Sequence, residues 1–576
     1  MATVTSASTT RNLFWGTGPG DHLLEVIDGH WPTDLDGRVY VVGPDKRRPG
    51  GHWFDQQGLL CRIDLTPRAD GRIAVRHRRV DTPVSKLRDR LPFLFRTLSF
   101  MEVSPFGLTN LANTNVQTID DRLFIGYDAG RPLEVDPETM AVITPVGGND
   151  EWYQASPGVL EPGISVAAHP ASDVEEGCLW FVNYSPLPLT PDTFVARWDL
   201  DGPLRRWKLD GMSEFDSIHD VKVTRDHVVF TDLPFIVEPA TFAGKPQTRP
   251  NRDWTSLWIV AKSDLRATPP GGTVATREVR IPMPTGHLSV DYDHPADRLT
   301  VYLEQLPIQD LMIRLRRGEY SHGTGALNDP NFDGMVTGST QPGVVGRYEI
   351  DLTTGDVLRS DLAWDDRFWG AVLATKDEST AAARAHQGQL WYSGMGYDPA
   401  LVAQTWWDLY ADAGLAAIVD PHDLPDEAIP AGLARFDRES MKVAEVYPFE
   451  HGSFPHPPTF VPRAGATDPD DGYVVAIIHQ DGPKEVWVFD AAHLEAGPLA
   501  RATAPDFNPP LLLHSCWMPT PAPGAHRPDY RIPLWRDVRA AVAAIPGLFL
   551  RIMRMGRRMA ESGMLSGSGT SAESHP

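Results

Sequence analysis

The sequence predicts an all-β protein whose best-fitting architecture is a β-propeller, on three observations. A sequence pattern typical of β-hairpins recurs: a β-rich run ends in Asp, turn residues follow, and a second β-rich run begins. Copies start at Arg62, Leu133, Arg197, Tyr348, Arg435 and Val488. The 49 glycines and 52 prolines are more turn-forming residues than a helical protein tolerates. No compositional break separates the copies, which favours radially repeated hairpins over unrelated hairpins in two β-sandwiches.

The composition narrows the classes of partner and site. The 576 residues carry a net charge of −23, from 76 acidic and 53 basic side chains. Because an acidic chain repels phosphate backbones, we expect no nucleic-acid partner. Cys61, Cys178 and Cys516 are too far apart for a disulfide scaffold or a thiolate zinc site, and such usage suits a reducing cytoplasm.

The N-terminal sequence lacks the apolar core of a signal peptide, and we expect residues 1–11 to be disordered. The longest apolar run, residues 540–550, is too short to cross a bilayer and is broken by Pro546 and Gly547. We therefore expect a cytoplasmic protein that at most lies on a membrane surface.

Three segments depart from the β pattern. Lys86–Phe106, the entrance segment, mixes basic and large apolar side chains, and residues 379–417 contain stretches with helical character. Tyr530–Ala560, the C-terminal extension, has helical periodicity and carries seven arginines and one acid, Asp537. It is predicted to be an amphipathic basic helix, and the Ser/Gly-rich residues 561–576 are predicted to be a disordered tail.

Histidine is the informative residue for chemistry. Four of the 19 histidines, His169, His219, His287 and His514, sit beside apolar or small residues in a β context. Their separations exclude a local metal motif, and each alone fits a core histidine. In a propeller, however, inner strands converge on the axis, so distant histidines can meet. Neutral imidazoles without cysteine favour a redox or Lewis-acid metal over a structural zinc.

Several longer strings resemble motifs of the carotenoid cleavage oxygenase family, which includes carotenoid and apocarotenoid dioxygenases, lignostilbene dioxygenases and retinoid isomerases. The strings, in chain order, are GGHWFDQQGLLCRIDL (50–65), LANTNVQ (111–117), HDVKVTRDHVVFTDLP (219–234), TFVPRAGATDPDDGYVVAIIHQ (459–480) and LLLHSCWMP (511–519). The second and fourth histidines lie within these strings. The matches cover about four-fifths of the chain.

This resemblance implies a seven-bladed propeller over residues 12–529 with dome insertions above its top face. It also implies a non-haem Fe(II) ion held by the same four histidines, with O2 as co-substrate. The implied substrate is an apolar conjugated small molecule, a carotenoid or apocarotenoid, whose C=C bond is cleaved into two carbonyl products.

The groups expected to orient the histidines depart from the family pattern of three glutamates. Asp128 stands at the first position, and Glu378 or Asp377 is the candidate for the second. Pro457 stands at the third position and has no acceptor side chain. The histidine that this position serves would therefore need a backbone carbonyl, a water or a neighbour such as His456 as its acceptor.

Two further residues, Thr114 and Glu304, are candidates for roles near the metal. Thr114 matches a family position facing a vacant iron coordination site, although a plain strand position explains it equally well. Glu304, which follows the strand VYLE, is expected at the surface at the end of that strand, with an outer carboxylate of the metal centre as the alternative.

Polyenes reside in bilayers, and the entrance segment lies where the family has an apolar entrance patch. We expect peripheral membrane contact through this segment and the C-terminal extension, with a helix packed on the propeller as the alternative for each.

Other functions remain open. Within the family, a phenolic stilbene is a rival substrate, favoured by a polar group deep in the tunnel, and isomerisation of a polyene ester is a third reaction. From another class, an iron-free propeller that binds apolar ligands or a partner is supported by Pro457.

Overall fold

The structure is a computed structural model. It describes residues 14–156, 158–185, 192–236, 238, 241, 245, 247–370, 373–374, 388–480, 482–520 and 530–543. Glu378, residues 1–11, residues 544–560 of the C-terminal extension and the tail 561–576 lie outside the described residues.

The described residues form 35 strands and few helices, which confirms the all-β class. In the first half they are β1 Gly20–Gly29, β2 Arg38–Pro44, β3 Gly58–Asp64, β4 Ile73–Arg79, β5 Arg96–Leu98, β6 Met101–Ser104, β7 Gly107–Leu108, β8 Asn115–Ile119, β9 Arg122–Tyr127, β10 Gly130–Val135, β11 Val142–Pro145, β12 Ser165–Val166, β13 Ala171–Asp173, β14 Cys178–Tyr184, β15 Thr193–Trp198, β16 Arg205–Asp210, β17 Ser217–Val223, β18 His227–Leu233, β19 Trp254–Ala261, β20 Thr273–Ala275 and β21 Arg277–Pro282.

The strands continue with β22 Thr285–Val290, β23 Arg298–Gln305, β24 Val344–Asp351, β25 Val357–Ala363, β26 Leu373–Ala374, β27 Gln389–Gly394, β28 Gly432–Asp437, β29 Lys442–Pro448, β30 Phe454–Pro455, β31 Thr459–Pro462, β32 Gly472–His479, β33 Glu485–Asp490, β34 Ala500–Thr503 and β35 His514–Met518. The helices are α1 Pro83–Arg90, α2 Lys262–Ala267 and α3 Gln404–Tyr410, and residues 534–543 are also helical.

Most strands form antiparallel sheets in chain order. Four sheets have four strands each: β8–β11, β17-β18-β19-β21, β22–β25 and β26–β29. A six-stranded sheet contains β12–β16 and β20, and β5–β7 form a small sheet. A ten-stranded sheet joins β1–β4 to β30–β35, with β2 paired to β35 and β1 to β34. The first and last strands of the body therefore share one sheet, and this places His514 beside the N-terminal strands.

The six recurring patterns all form the predicted hairpins: β3–β4, β10–β11, β15–β16, β24–β25, β28–β29 and β33–β34. At the end of the first strand, the carboxylate accepts hydrogen bonds from turn amides in the hairpins of Asp136, Asp351, Asp437 and Asp490, as expected. Asp136 Oδ1, for example, accepts from the amides of Glu138 and Thr139 at 2.9 and 2.7 Å, and Asp351 does the same in its own turn.

The apolar cores lie between neighbouring sheets. Every residue of β14 is buried, because both of its faces are covered. Such strands are continuous apolar runs rather than alternating ones, since neither face meets water. Trp180 from β14 and Trp258 from β19 pack in the same core cluster and join adjacent sheets.

The segments predicted to be helical are helical in part. Within residues 379–417, α3 buries Trp406, whose indole N–H donates to the Ile308 carbonyl at 2.8 Å. In the C-terminal extension, the helix 534–543 docks on the body through its single acid. Asp537 is buried, accepts from Arg131 Nη2 at 2.9 Å and receives the Asn149 amide at 2.9 Å. Its described part is therefore packed on the sheets, although one face stays exposed.

Asp232 on β18 supports the start of the strand that carries His219. Its carboxylate accepts from the backbone amides of Asp216 and Ser217 at 2.9 and 3.1 Å. Burial, with the charge of Asp216, raises the pKa of Asp232 to about 7.

A carboxyl group with a raised folded-state pKa stabilises the fold when protonated, and this contribution is lost as pH rises from about 4 through 7. In the parent, this group is expected to lower the free energy of unfolding by about 3 kcal/mol between pH 5 and pH 8. Asp232→Asn should lack that decrease, because the amide does not titrate. Urea unfolding of parent and variant at both pH values measures this difference. An equal loss in both proteins would contradict the assignment.

Candidate metal centre

The four predicted histidines meet in one cluster. One ring nitrogen from each of His169, His219, His287 and His514 lies within 4.8 Å of the others. The ring centroid of His169 is 4.6, 4.7 and 4.3 Å from those of His219, His287 and His514. Residues separated by up to 345 positions, from His169 to His514, are thus brought to one point.

Backbone pairing holds His169 against β17. The His169 amide donates to the carbonyl of His219 at 3.0 Å, and the Val221 amide donates to the carbonyl of His169 at 2.9 Å. His169 lies in the short connection between β12 and β13, so these two bonds fix its position relative to His219.

Irregular pairing re-aims two of the other histidines. The β17–β18 register shifts between Ile218 and Val221, on either side of His219. The β22–β23 register shifts between Thr285 and Leu288, on either side of His287. A β-bulge turns a side chain out of strict alternation, which lets these imidazoles point at a shared centre.

Two carboxylates hold the outer nitrogens of the cluster. His219 Nδ1 hydrogen-bonds to Asp128 Oδ1 at 2.9 Å, in the arrangement predicted for Asp128. His287 Nδ1 lies 3.2 Å from Oδ2 of Asp220, a residue that sequence reasoning did not select. The available signal was its place directly after His219. Both contacts leave Nε2 as the nitrogen directed at the centre, the usual role of such carboxylates.

The electrostatics keep most of the cluster uncharged. Burial and the neighbouring imidazoles hold the pKa of His169 and of His514 well below the usual range. Burial also lowers the pKa of His287. For His219, burial acts to lower the pKa, but the charge of Asp128 and its hydrogen bond together raise it. Neutral imidazoles are the form that binds a metal.

The residues present fit a divalent transition-metal ion. His169 Nε2 is buried without a hydrogen-bond partner among the described residues, so a ligand other than protein would satisfy it. Four imidazole nitrogens suit iron, copper or zinc rather than calcium or magnesium.

A large cavity of about 450 Å³ opens onto the centre and is lined by His219, His287 and His514. Its volume lies in the range of small-molecule sites. Much of its wall is aromatic or aliphatic, including Phe14, Trp53, Phe54, Phe100, Leu233 and Phe235.

Thr114 also lines this large cavity and is 9% exposed. Its hydroxyl donates to Asn113 Oδ1 at 3.1 Å, and its amide lies 3.4 Å from the Gly126 carbonyl, the ladder contact of the alternative interpretation. Thr114 thus shares the wall of the large cavity with three of the histidines, and its role beside the metal stays a prediction.

A second, polar cavity of about 90 Å³ touches the same centre through His169, His287 and His514. Glu304 lines it and is only 3% exposed, so its expected surface position was wrong. The error arose because β23 lies in a sheet interior, where a strand-end carboxylate meets other strands rather than water.

Three other residues were considered as groups that orient a ligand histidine: Pro457, His456 and Glu378. Pro457 lines the large cavity and offers no acceptor side chain. His456 Nε2 lies 3.4 Å from the Leu512 amide, and among the described residues it makes no hydrogen bond to His514. Glu378 lies outside the described residues, so its role stays a prediction.

Comparison with known proteins gives a consistent result. The family model described as retinal pigment epithelial membrane protein matches residues 18–519. The chain is 23% identical over 527 residues to the apocarotenoid-15,15'-oxygenase of Synechocystis sp., covering 87% of this chain and 94% of that protein. It is 26% identical over 230 residues to resveratrol cleavage oxygenase 1 of Aspergillus fumigatus, covering 38% of this chain and 43% of that protein.

Among solved structures, the cobalt-substituted apocarotenoid oxygenase of Synechocystis is similar in fold. The TM-score is 0.60 at 18% sequence identity, and the match covers 89% of this chain and 98% of that one. At this identity the likeness concerns the fold alone.

Proposed function

Because the chain belongs to the retinal pigment epithelial membrane protein family, we propose that it is a non-haem Fe(II)-dependent dioxygenase. In this proposal it uses O2 to cleave a C=C bond of a carotenoid or apocarotenoid into two carbonyl products. The observation that supports this proposal most directly is the four-histidine cluster, three of whose members line the large apolar cavity. Curated relatives are carotenoid and apocarotenoid cleavage oxygenases, which supports oxygenase-type cleavage of an apolar polyene.

Bound at His169, His219, His287 and His514, the Fe(II) ion would supply activation of O2. The protein itself orients the metal ligands and holds the substrate. Asp128 and Asp220 accept from Nδ1 of His219 and His287 and so direct each Nε2 to the centre. The apolar wall of the large cavity would hold a conjugated chain by burial and exclude water from it.

The finer architecture belongs to the same proposal. We assign the sheets of residues 12–529 to seven blades around an axis through the histidine centre, with dome insertions above the large cavity. The pairing of β2 with β35 supports this assignment, because it lets the chain ends close a ring.

A phenolic stilbene is the second candidate substrate. Tyr127 precedes Asp128 and lines the large cavity, and burial with the Asp128 charge raises its pKa, so its hydroxyl stays protonated as a donor. The partial match to a resveratrol cleavage oxygenase supports this candidate.

The test is reconstitution of the purified protein with Fe(II) under anaerobic conditions, followed by O2 and either an apocarotenal or a hydroxylated stilbene. The proposal expects paired aldehyde or ketone products, with label from 18O2 in the fresh carbonyls. Cleavage of the stilbene alone would transfer the assignment to the second candidate. Iron binding without cleavage of either substrate would contradict the dioxygenase proposal, and failure to bind iron would favour an iron-free binding protein.

Peripheral membrane contact is also proposed. In the entrance segment, Phe93 is 78% exposed while Phe100 lines the large cavity, so this segment links the surface to the cavity. The helix 534–543 exposes Leu534, Trp535, Val538 and Val542, while its only acid, Asp537, is buried against Arg131. Of the two arginines on this helix, Arg536 pairs with Asp150 and Glu151 of the body. An exposed apolar strip beside Arg539 suits an anionic lipid surface. Among the described residues, no helix is long and apolar enough to cross a bilayer.

Replacing Leu534, Trp535 and Val542 together with serine is expected to lower binding to phosphatidylserine-containing vesicles severalfold, because the apolar strip is lost. Vesicle flotation measures the bound fraction. Leu358→Ser, at a 52% exposed position on β25, is the matched control and is expected to bind as the parent does. Full binding by the triple variant would exclude the extension as a contact.

A further inference from the structure

The histidine centre lies between two cavities of different chemistry. His287 and His514 line both the large apolar cavity and the polar cavity of about 90 Å³. His219 faces the large cavity, and His169 faces the polar one. A substrate cavity accounts for the first, while the proposed function assigns no role to the second.

The polar cavity continues from the centre along inner strands. Ser289 lies two residues after His287 on β22, and Cys516 lies two residues after His514 on β35. Both side chains line the cavity beside the histidines and extend the wall that the histidines begin. The volume of about 90 Å³ has room for several water molecules.

Carboxylates and hydroxyls dominate the chemistry of this wall. Asp220 and Glu304 line the cavity from β17 and β23 and are 1% and 3% exposed. Lys222 also lines the cavity, and its Nζ lies 2.8 Å from Asp220 Oδ1. The two acids and one lysine leave the lining with a net negative charge, which lowers the energy of a cation there.

A metal ion must reach the buried histidines from water. A hydrated divalent cation is strongly disfavoured in an apolar cavity, because it loses water ligands without replacement. In the polar cavity, water, hydroxyls and carboxylate oxygens substitute for the hydration shell. We propose that the polar cavity is the route by which the divalent metal ion reaches the four-histidine centre, with Glu304 as the attracting carboxylate.

This inference rests on the proposed function in that it needs a metal ion at the histidines. The two cavities then serve different ligands: the metal ion enters through the polar cavity, and the apolar substrate occupies the large cavity. A steric block in the polar cavity is then expected to slow metal uptake without altering the final complex.

The test measures Co(II) uptake by the metal-free full-length protein under anaerobic conditions, using the visible absorption of histidine-bound cobalt in a stopped-flow instrument. Ser289→Leu narrows the polar cavity, and the near-isosteric Glu304→Gln removes one charge. Ser453→Leu, in the wall of the large cavity, is the matched control.

We expect Ser289→Leu to lower the uptake rate about tenfold or more, and Glu304→Gln to lower it about threefold at low ionic strength. The equilibrium affinity for cobalt should stay within about twofold of the parent, and Ser453→Leu should match the parent rate. Should Ser289→Leu fail to fold, Glu304→Gln and its salt dependence decide the question.

Two results would overturn the inference: parental uptake rates in Glu304→Gln and Ser289→Leu, or slowed uptake in Ser453→Leu alone. A parent protein that takes up no cobalt at any rate would instead overturn the metal centre of the proposed function. The two failures are therefore separable in one experiment.

Discussion

Replacing His219 with alanine is expected to lower metal affinity more than about 100-fold and to abolish cleavage of the substrate. Loss of an orienting group alone typically costs about 10–100-fold, and loss of a ligand costs more. The substitution removes one of four ligand nitrogens and leaves Asp128 without its imidazole partner.

Metal per chain after reconstitution, measured by elemental analysis, checks this expectation. His227→Ala is the control, because His227 begins β18 in the same sheet but lies outside the cluster. The control should bind metal as the parent does. Stoichiometric metal in His219→Ala, with parental affinity, would contradict the four-histidine assignment.

Replacing Asp128 with alanine is expected to lower metal affinity about 10–100-fold. The carboxylate fixes the tautomer and ring orientation of His219 through the 2.9 Å contact at Nδ1, and it also receives the Ala168 amide at 3.2 Å beside His169. Without it, both histidines lose a positional restraint while every ligand atom remains.

A structural defect alone would not be repaired by a longer acid, so Asp128→Glu is the informative partner variant. We expect it to recover most of the affinity lost in Asp128→Ala, measured by competition with a chromogenic chelator. Asp412→Ala, at an exposed position, controls for loss of an acid. Parental affinity in Asp128→Ala would exclude an orienting role.

Much of the fold was predictable because its signals are local. An Asp that ends a strand and caps the next turn needs only neighbouring residues, as the Asp136 and Asp351 turns demonstrate. Strand content follows from the same hairpins. Family membership was predictable from motifs such as HDVKVTRDHVVFTDLP, and the family model confirms it.

The support of the centre was less predictable. Asp128 was found from its position relative to a motif, but Asp220 was missed, because nothing local ties it to His287 on another sheet. Glu304 was misplaced for a related reason: exposure at a strand end depends on which strands lie opposite.

The sequence by itself determined the strand pattern, the turn chemistry and the identity of four histidines, since each depends on short-range periodicity or on strings of adjacent residues. The tertiary structure decided which carboxylate serves which imidazole, which face of β22 and β35 lines a cavity, and that the centre separates an apolar cavity from a polar one. Those properties arise where strands from different sheets converge, and a one-residue bulge reverses the direction of a side chain.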